Sequence, residues 1–460
     1  MTHILQFGEG NFLRTFVDHY FDVLNEEGGE YGVTVVKPRP HGDLSLYARQ
    51  GCRYHILLCG VENGQTVERV RQIRVIKDVF SPFEEQERFF SLARDPELAL
   101  VVSNTTEAGI CFSGEDTADG FAAVTFPAKL TRFLFARYEA GLPGLYILPT
   151  ELIDRNADVL AEYVLRYAAL WGYPEDFFRW VERENYFCNT LVDRIVSGAP
   201  RTEESRRRAE TLVGAPDPLL SVGEPFGLWV IEEKGDLTRY VKPGYHGVDV
   251  VLTDDVESYR ERKVRILNGS HTNLVAMGLV EGKTFVADVM EDPRTAAFVS
   301  ASMEEILPFA GGADGRRFAT DVEERFRNPF LHHALTSILL NSVSKWKVRD
   351  LPTVQDFVRR GGNLPPHLTA GFSYLMYLYR CARHEPDGTF AAHLPGRTVP
   401  LSDDPAYLAY FADGGSVADF LRGDAFGDTL AALPGFIDRV CENVRRLAGG
   451  TSLLTGREGR

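Results

Sequence analysis

The chain opens on "HILQFGEGNFLRTFVDHYFDVLNEE", His3 to Glu27, in which an apolar strand-like run turns on two glycines straight into an amphipathic helical pattern. A second strand pattern, "GVTVVKP", follows one helix later, and strand, helix and strand in that order form the βαβ unit that begins a parallel sheet. The alternation resumes with "LALVVSN", "PAKLTRFLFARYEA", "LYILPTE" and "ADVLAEYVLRYAALWG". It predicts an α/β fold built on a doubly wound, Rossmann-type sheet. Between Leu46 and Val79, "RYHILL" and "RVRQIRVI" alternate as β segments and predict a hairpin excursion from that sheet. After the strand patterns "GLWVIE" and "VDVVLTD" the chain changes to long helical patterns that continue nearly to the end. Residues 1–255 are therefore expected to form a dinucleotide-binding domain and residues 256–460 a mostly α-helical substrate domain, with "GGADGRR" and "RRGGNLPPHL" as loops between its helices.

At 460 residues the length suits two domains, and 44% hydrophobic with 25% charged residues is a globular composition. A formal charge of -15 argues against nucleic acid or an anionic membrane surface as partner, since both require a basic face. The six cysteines are scattered without a CxxC pair, the N-terminus lacks the pattern of a secretory signal, and no apolar run is long enough for a membrane span. A cytoplasmic enzyme with reduced thiols is the expectation.

Gly8 and Gly10 lie between strand and helix, where glycines allow a tight turn and let a pyrophosphate approach backbone N–H groups at a helix N-terminus. Leu13 replaces the third glycine of the usual fingerprint, so a plain structural turn stays open as an alternative. Where an acidic residue would hold the adenosine ribose, the sequence offers Lys37 and Arg39, which are either surface cations or tolerant of the extra phosphate of NADP. "SNTTEAGI" (Ser103–Ile110) and "PTELIDRNAD" (Pro149–Asp158) follow the next two strands at the edge where such sheets bind ligands. Glu151 and Asn156 there are candidates for contact with ribose or substrate, or equally for helix caps.

A third stretch, "KVRILNGSHTNL" (Lys263–Leu274), carries three polar groups in apolar company. If it is α-helical, Asn268 lies about 140° and His271 about 80° from Lys263, on one broad face. A lysine acts as a general base only if its pKa, normally about 10.4, falls by roughly three, at about 4 kcal/mol. The apolar setting is expected to supply that burial, and an amide beside it can donate to a developing alkoxide. The bland alternative is a snorkelling lysine, a capping asparagine and a satisfied core histidine. Metal chemistry is not expected: His332 and His333 are adjacent, not at zinc-helix spacing. The GxSxG elbow of a serine hydrolase is absent.

Across nearly its whole length, through "QFGEGNFLR", "SNTTEAGI", "PAKLTR", "ELID", "TLVDRIVSG", "ERKVRILNG" and "RFRNP", the chain resembles the polyol-specific long-chain dehydrogenases, the mannitol dehydrogenase family with its hexuronate-pathway reductases. That resemblance implies a metal-independent, NAD-dependent secondary-alcohol dehydrogenase with the active site between its domains. It implies a lysine base at Lys263, an oxyanion site at Asn268 and Asn189, and a substrate-binding histidine at His271. The cofactor candidates are Phe7, Gly8, Gly10, Asn11 and Phe12 in the turn, Thr106 and Glu107 in the next loop, and Glu151; NADP stays open.

Within the family the blocks are most similar to the branch that interconverts altronate and tagaturonate in hexuronate breakdown. A sugar acid meeting so acidic a protein needs a local cation, and Lys345, Arg349 and Arg327 are the candidates. Rival readings are fructuronate reduction, mannitol or mannitol-phosphate oxidation, and a cofactor-binding sensor without catalysis. Apolar helix faces in the second half can pack internally or form a homo-oligomer.

Overall fold

The parallel sheet expected from the first half forms, and its strand order fixes where a ligand would sit. The computed structural model describes residues 1–40, 42–106, 108–119, 125–200 and 202–454. It divides into two units, Met1–Val256 and Glu257–Arg460. The first eight strands are β1 (Thr2–Phe7), β2 (Tyr31–Val36), β3 (Tyr54–Glu62), β4 (Gln65–Ile73), β5 (Ile76–Phe80), β6 (Leu98–Ser103), β7 (Tyr146–Pro149) and β8 (Tyr186–Phe187). Six of these make one sheet in the order β5-β2-β1-β6-β7-β8, with every neighbouring pair parallel. Counted within the sheet alone this is the 3-2-1-4-5-6 order of a dinucleotide-binding fold, and the order reverses between β1 and β6. The C-terminal ends of β1 and β6 therefore flank the crevice.

Helices cover both faces of the sheet, so its strands read as continuous apolar runs instead of alternating ones. Alternate residues still go to opposite sides: Ile4, Val33, Leu100 and Val102 join one core cluster, while Leu5, Phe7, Val36 and Val101 join another. β3 and β4 leave the sheet as an antiparallel hairpin closed by Asn63-Gly64, both at positive φ, the signature of a tight type I′ turn. The strands Leu228–Glu232 and Asp249–Thr253 do not extend the main sheet; they pair with each other in a separate one, in which Leu228–Glu232 also pairs with Thr190–Asp193.

In the second unit, the helices Val256–Arg262 and Ser270–Val280 are joined without a break by a π-helical turn, Lys263–Gly269. Every residue from Ser270 to Leu279 is buried, so this helix is a central element around which the others pack. The expectation of helices nearly to the end needs one correction. Ala382–His384, Phe390–Leu394 and Arg397–Leu401 form a three-stranded antiparallel meander. Its strands are too short for their alternation to stand out. Among the described residues no helix is long and apolar enough to cross a membrane.

Candidate active site

The glycine turn is tied to both strands that flank β1. Gly8 N donates to Val36 O at 3.1 Å, and Asn104 N donates to Phe7 O at 3.0 Å. Gly8 has φ +129°, and a Cβ there would stand 3.0 Å from both Asn104 O and Leu13 Cδ1, so the fold itself requires glycine. Gly10 is different: its φ is -70° and a Cβ would meet nothing within 4 Å. The chain makes no demand for glycine there, and the open space leads to the N-terminus of the short helix α1 (Asn11–Thr15), where backbone N–H groups have no partner in the helix. That space fits the approach of a pyrophosphate. Leu13, in place of the third glycine, is buried under the turn.

The remaining turn candidates divide. The Phe7 ring lies in the core against Phe89 and Phe126, and at the turn itself its carbonyl accepts from Asn104 N. Phe12 is half-buried and stacks on Phe16 with centroids 4.9 Å apart. Asn11 accepts from Arg14 and lies against Gly198, where a Cβ would be 2.7 Å from Asn11 Nδ2. After β6, Thr106 is exposed with φ +71° and accepts from Arg39 Nη2 at 3.4 Å. Glu107 lies outside the described residues. Lys37 is buried and donates to Gly42 O and Pro40 O, so of these two cations Arg39 is the exposed one.

Glu151 also needs correction. It is 2% exposed, and its carboxylate accepts from Thr105 N at 2.8 Å, Thr105 Oγ1 at 2.9 Å and Ser103 Oγ at 3.0 Å. Burial pushes its pKa up while those hydrogen bonds work the other way. It staples the loops after β6 and β7 together and is neither a ribose ligand nor a helix cap. Asn156 is a second staple: Nδ2 donates to Pro149 O and Glu151 O, and Oδ1 accepts from Thr190 N at 3.0 Å. These bonds hold the polar edge of the sheet in one shape.

Asn189 is 9% exposed and works at the next loop. Its Oδ1 accepts from Ala157 N at 3.0 Å and Asp158 N at 3.2 Å, capping the helix Asn156–Leu170, and its Nδ2 donates to Glu232 Oε2 at 2.9 Å. Glu232 also pairs with Lys234 at 2.9 Å. No sequence signal marks Glu232 as the residue that orients this amide, because it reads as the last residue of an ordinary strand.

In the second unit Lys263 and Asn268 sit on the π-turn and His271 on the helix that follows it. The α-helical angles expected for Lys263 and Asn268 do not apply, because the turn from Lys263 to Gly269 is bonded i→i+5. In such a turn the fifth residue on comes round to the side of the first, which carries Asn268 over Lys263. Ile266 and Leu267 point into the core, whereas Lys263 and Asn268 are half-buried, so the apolar setting supplies only part of the burial expected of it. Arg265 faces away and pairs with Asp356 at 2.6 Å and Glu261 at 2.8 Å. The back of the turn rests on Asp350, since a Cβ on Gly269 would be 2.9 Å from Asp350 Oδ1.

His271 is 8% exposed, stacked on Phe326 at 4.2 Å and edge-on to His333 at 5.3 Å. Two of the three proposed substrate cations gather around it. Arg349 Nη1 donates to Thr272 Oγ1 at 3.1 Å, and Lys345 Nζ donates to Ile338 O at 2.8 Å. Burial lowers the Lys345 pKa and the Arg349 charge lowers it further; burial and then Lys345 lower His333. The cluster is thus cationic and only partly desolvated. Arg327 is exposed and pairs with Glu323 at 3.2 Å.

Comparison with known proteins decides the family. Residues 2–240 match the mannitol dehydrogenase Rossmann domain and residues 255–396 the mannitol dehydrogenase C-terminal domain. The chain belongs to the mannitol dehydrogenase family. It is 40% identical over 414 residues to the altronate oxidoreductases of Escherichia coli O7:K1 (strain IAI39 / ExPEC) and of Shigella flexneri, covering 88% of this chain and 83% of each relative. A crystal structure of D-sorbitol dehydrogenase shares the fold with TM-score 0.82 at 20% identity, over 98% of this chain and 94% of that one. Pseudomonas fluorescens mannitol 2-dehydrogenase, in a ternary complex with NAD and D-mannitol, shares it with TM-score 0.71 at 22% identity, over 98% and 93%. The chain is an enzyme, a polyol or sugar-acid dehydrogenase of this mannitol dehydrogenase family.

Proposed function

We propose that this member of the mannitol dehydrogenase family interconverts altronate and tagaturonate with NAD, in hexuronate breakdown in the cytoplasm. The observation that carries the choice of a sugar acid over a neutral polyol is the pair of cations, Lys345 and Arg349, set around His271 and Thr272 in the second unit. The 40% identity to altronate oxidoreductases supports it. Arg349 offers a planar donor pair to a carboxylate and Lys345 a point charge.

In the oxidative direction Lys263 Nζ takes the proton of the secondary hydroxyl and returns it in reduction. The nicotinamide supplies the hydride acceptor. Asn268 donates to the oxygen as it gains charge, with Asn189 as the second donor, shared with Glu232; His271 binds a substrate hydroxyl. Because Lys263 is half-buried, the substrate itself must complete its desolvation.

Turnover of altronate, mannitol and mannitol 1-phosphate with NAD and with NADP, and of tagaturonate and fructuronate with NADH and with NADPH, followed at the NADH band, tests the proposal. Altronate and tagaturonate should dominate, and turnover of mannitol without altronate would overturn it. NADP enters the panel because Arg39, not an acidic residue, stands beyond β2. Lys345→Ala and Arg349→Ala should each raise KM for altronate about 10- to 100-fold, the loss of one charged hydrogen bond, with NADH affinity unchanged. An unchanged KM removes that residue from the role.

A further inference from the structure

In a sheet of this strand order the adenosine end of a dinucleotide lies beyond β2, where an acidic residue holds the ribose diol of NAD or an arginine accommodates the 2′-phosphate of NADP. Here the chain reads "KPRP", Lys37 to Pro40, with no acid. Lys37 is 2% exposed and donates to the carbonyls of Pro40 and Gly42, so it fastens the bend after β2 from within. Arg39 is exposed between two prolines. A proline fixes its own φ and holds the residue before it in extended backbone, so Pro38 and Pro40 both limit where Arg39 points. Its Nη2 donates to Thr106 Oγ1 at 3.4 Å. The side chain thus reaches from the loop after β2 to the loop after β6, the two strands that flank β1.

Two carboxylates nearby are engaged elsewhere. Asp43 accepts from Ser45 N and Ser45 Oγ at 2.7 Å each, and those bonds, with the charges of Arg49 and Lys37, hold its pKa below the usual carboxylate range. Glu9, between the two glycines of the turn, has its Oε1 3.6 Å from where a Cβ on Gly42 would stand. Lys37 Nζ is equally close to that point, so this acid shares the bend with a cation. We propose that the enzyme binds NADP as well as NAD, with Arg39 holding the 2′-phosphate of the adenosine ribose. The bond to Thr106 uses one guanidinium N–H of five, and a guanidinium grips two phosphate oxygens with a parallel pair of donors. NAD binds without this contact, because its pyrophosphate is met at Gly10 and the N-terminus of α1.

This rests on the reading that the glycine turn holds a nicotinamide dinucleotide, and binding is measured apart from turnover so that the two can fail separately. NADPH and NADH are titrated into wild type and Arg39→Ala and followed by nicotinamide fluorescence; Arg39 is exposed, so the variant should fold. Wild type should bind NADPH within about tenfold of NADH. Arg39→Ala should weaken NADPH about 10- to 100-fold, the loss of a charged hydrogen bond, and NADH less than about threefold. Arg39→Lys, which keeps the charge without the planar fork, should fall between the two. Added salt should weaken NADPH more than NADH in wild type, and both equally in Arg39→Ala. Wild-type affinity for NADPH more than about tenfold below that for NADH, or an Arg39→Ala loss equal for both cofactors, overturns the proposal. If NADH binds and NADPH does not, the dinucleotide turn stands and the role of Arg39 falls. If both bind but neither altronate nor tagaturonate is turned over, the proposed substrate falls and the role of Arg39 stands.

Discussion

The glycine turn of the first unit and the π-turn of the second are held by opposite means. The glycine turn is held by hydrogen bonds: Gly8 N to Val36 O, Asn104 N to Phe7 O, Gln6 Nε2 to Gly8 O. The π-turn is held by packing. Ile266 and Leu267 enter the core, and Gly269 lies against Asp350, neither of whose carboxylate oxygens has a hydrogen-bond partner. Burial pushes the Asp350 pKa well up, against the charge of Arg349. A site that presents backbone N–H groups must fix the backbone by bonds. One that presents side chains can fix it by excluded volume.

Among substitutions that keep Lys263, Asn268→Ala should have the largest effect, a fall in kcat on the order of 10²- to 10³-fold. NADH affinity should not change, and a kcat within threefold of wild type would remove Asn268 from the oxyanion role. Gly269→Ala comes next, because its Cβ would meet Asp350 Oδ1 at 2.9 Å. Overpacking of this kind costs about 1–3 kcal/mol, and both Tm and kcat should fall. Adding Asp350→Ala should recover part of the loss; no recovery would show that this contact does not hold the turn.

The smallest effects separate the two glycines. Gly8→Ala should lower stability by more than about 1 kcal/mol, because alanine is strained at that φ. Gly10→Ala should leave Tm unchanged and weaken NADH binding severalfold. Equal Tm losses in the two variants would make Gly10 a structural turn residue as well.

Much of this was legible in the sequence where periodicity carries it. The apolar run of β1, the two glycines and the helix after them announce a parallel sheet, and the spacing of Lys263, Asn268 and His271 marked one stretch. The π-turn was not legible, because i→i+5 bonding differs from the α-helix by one residue per bond and leaves no mark in composition. For Glu151 and Asn156 the sequence leaves ligand and helix cap equally open, because polar residues after a strand suit both; only the partners Thr105, Ser103 and Thr190 show that they are staples. Glu232 fits the pattern of an ordinary strand, and its importance lies in a neighbour distant in sequence, Asn189. The meander after Ala382 was hidden by its short strands.

The central claim is that the half-buried Lys263 on the π-turn is the general base. Its most direct measurement is kcat for altronate oxidation by Lys263→Ala at saturating NAD, alongside an NADH titration of the same protein. The account predicts a loss in kcat of at least 10²-fold, the usual scale for a removed acid–base group, with unchanged NADH affinity. Near-normal turnover would contradict it.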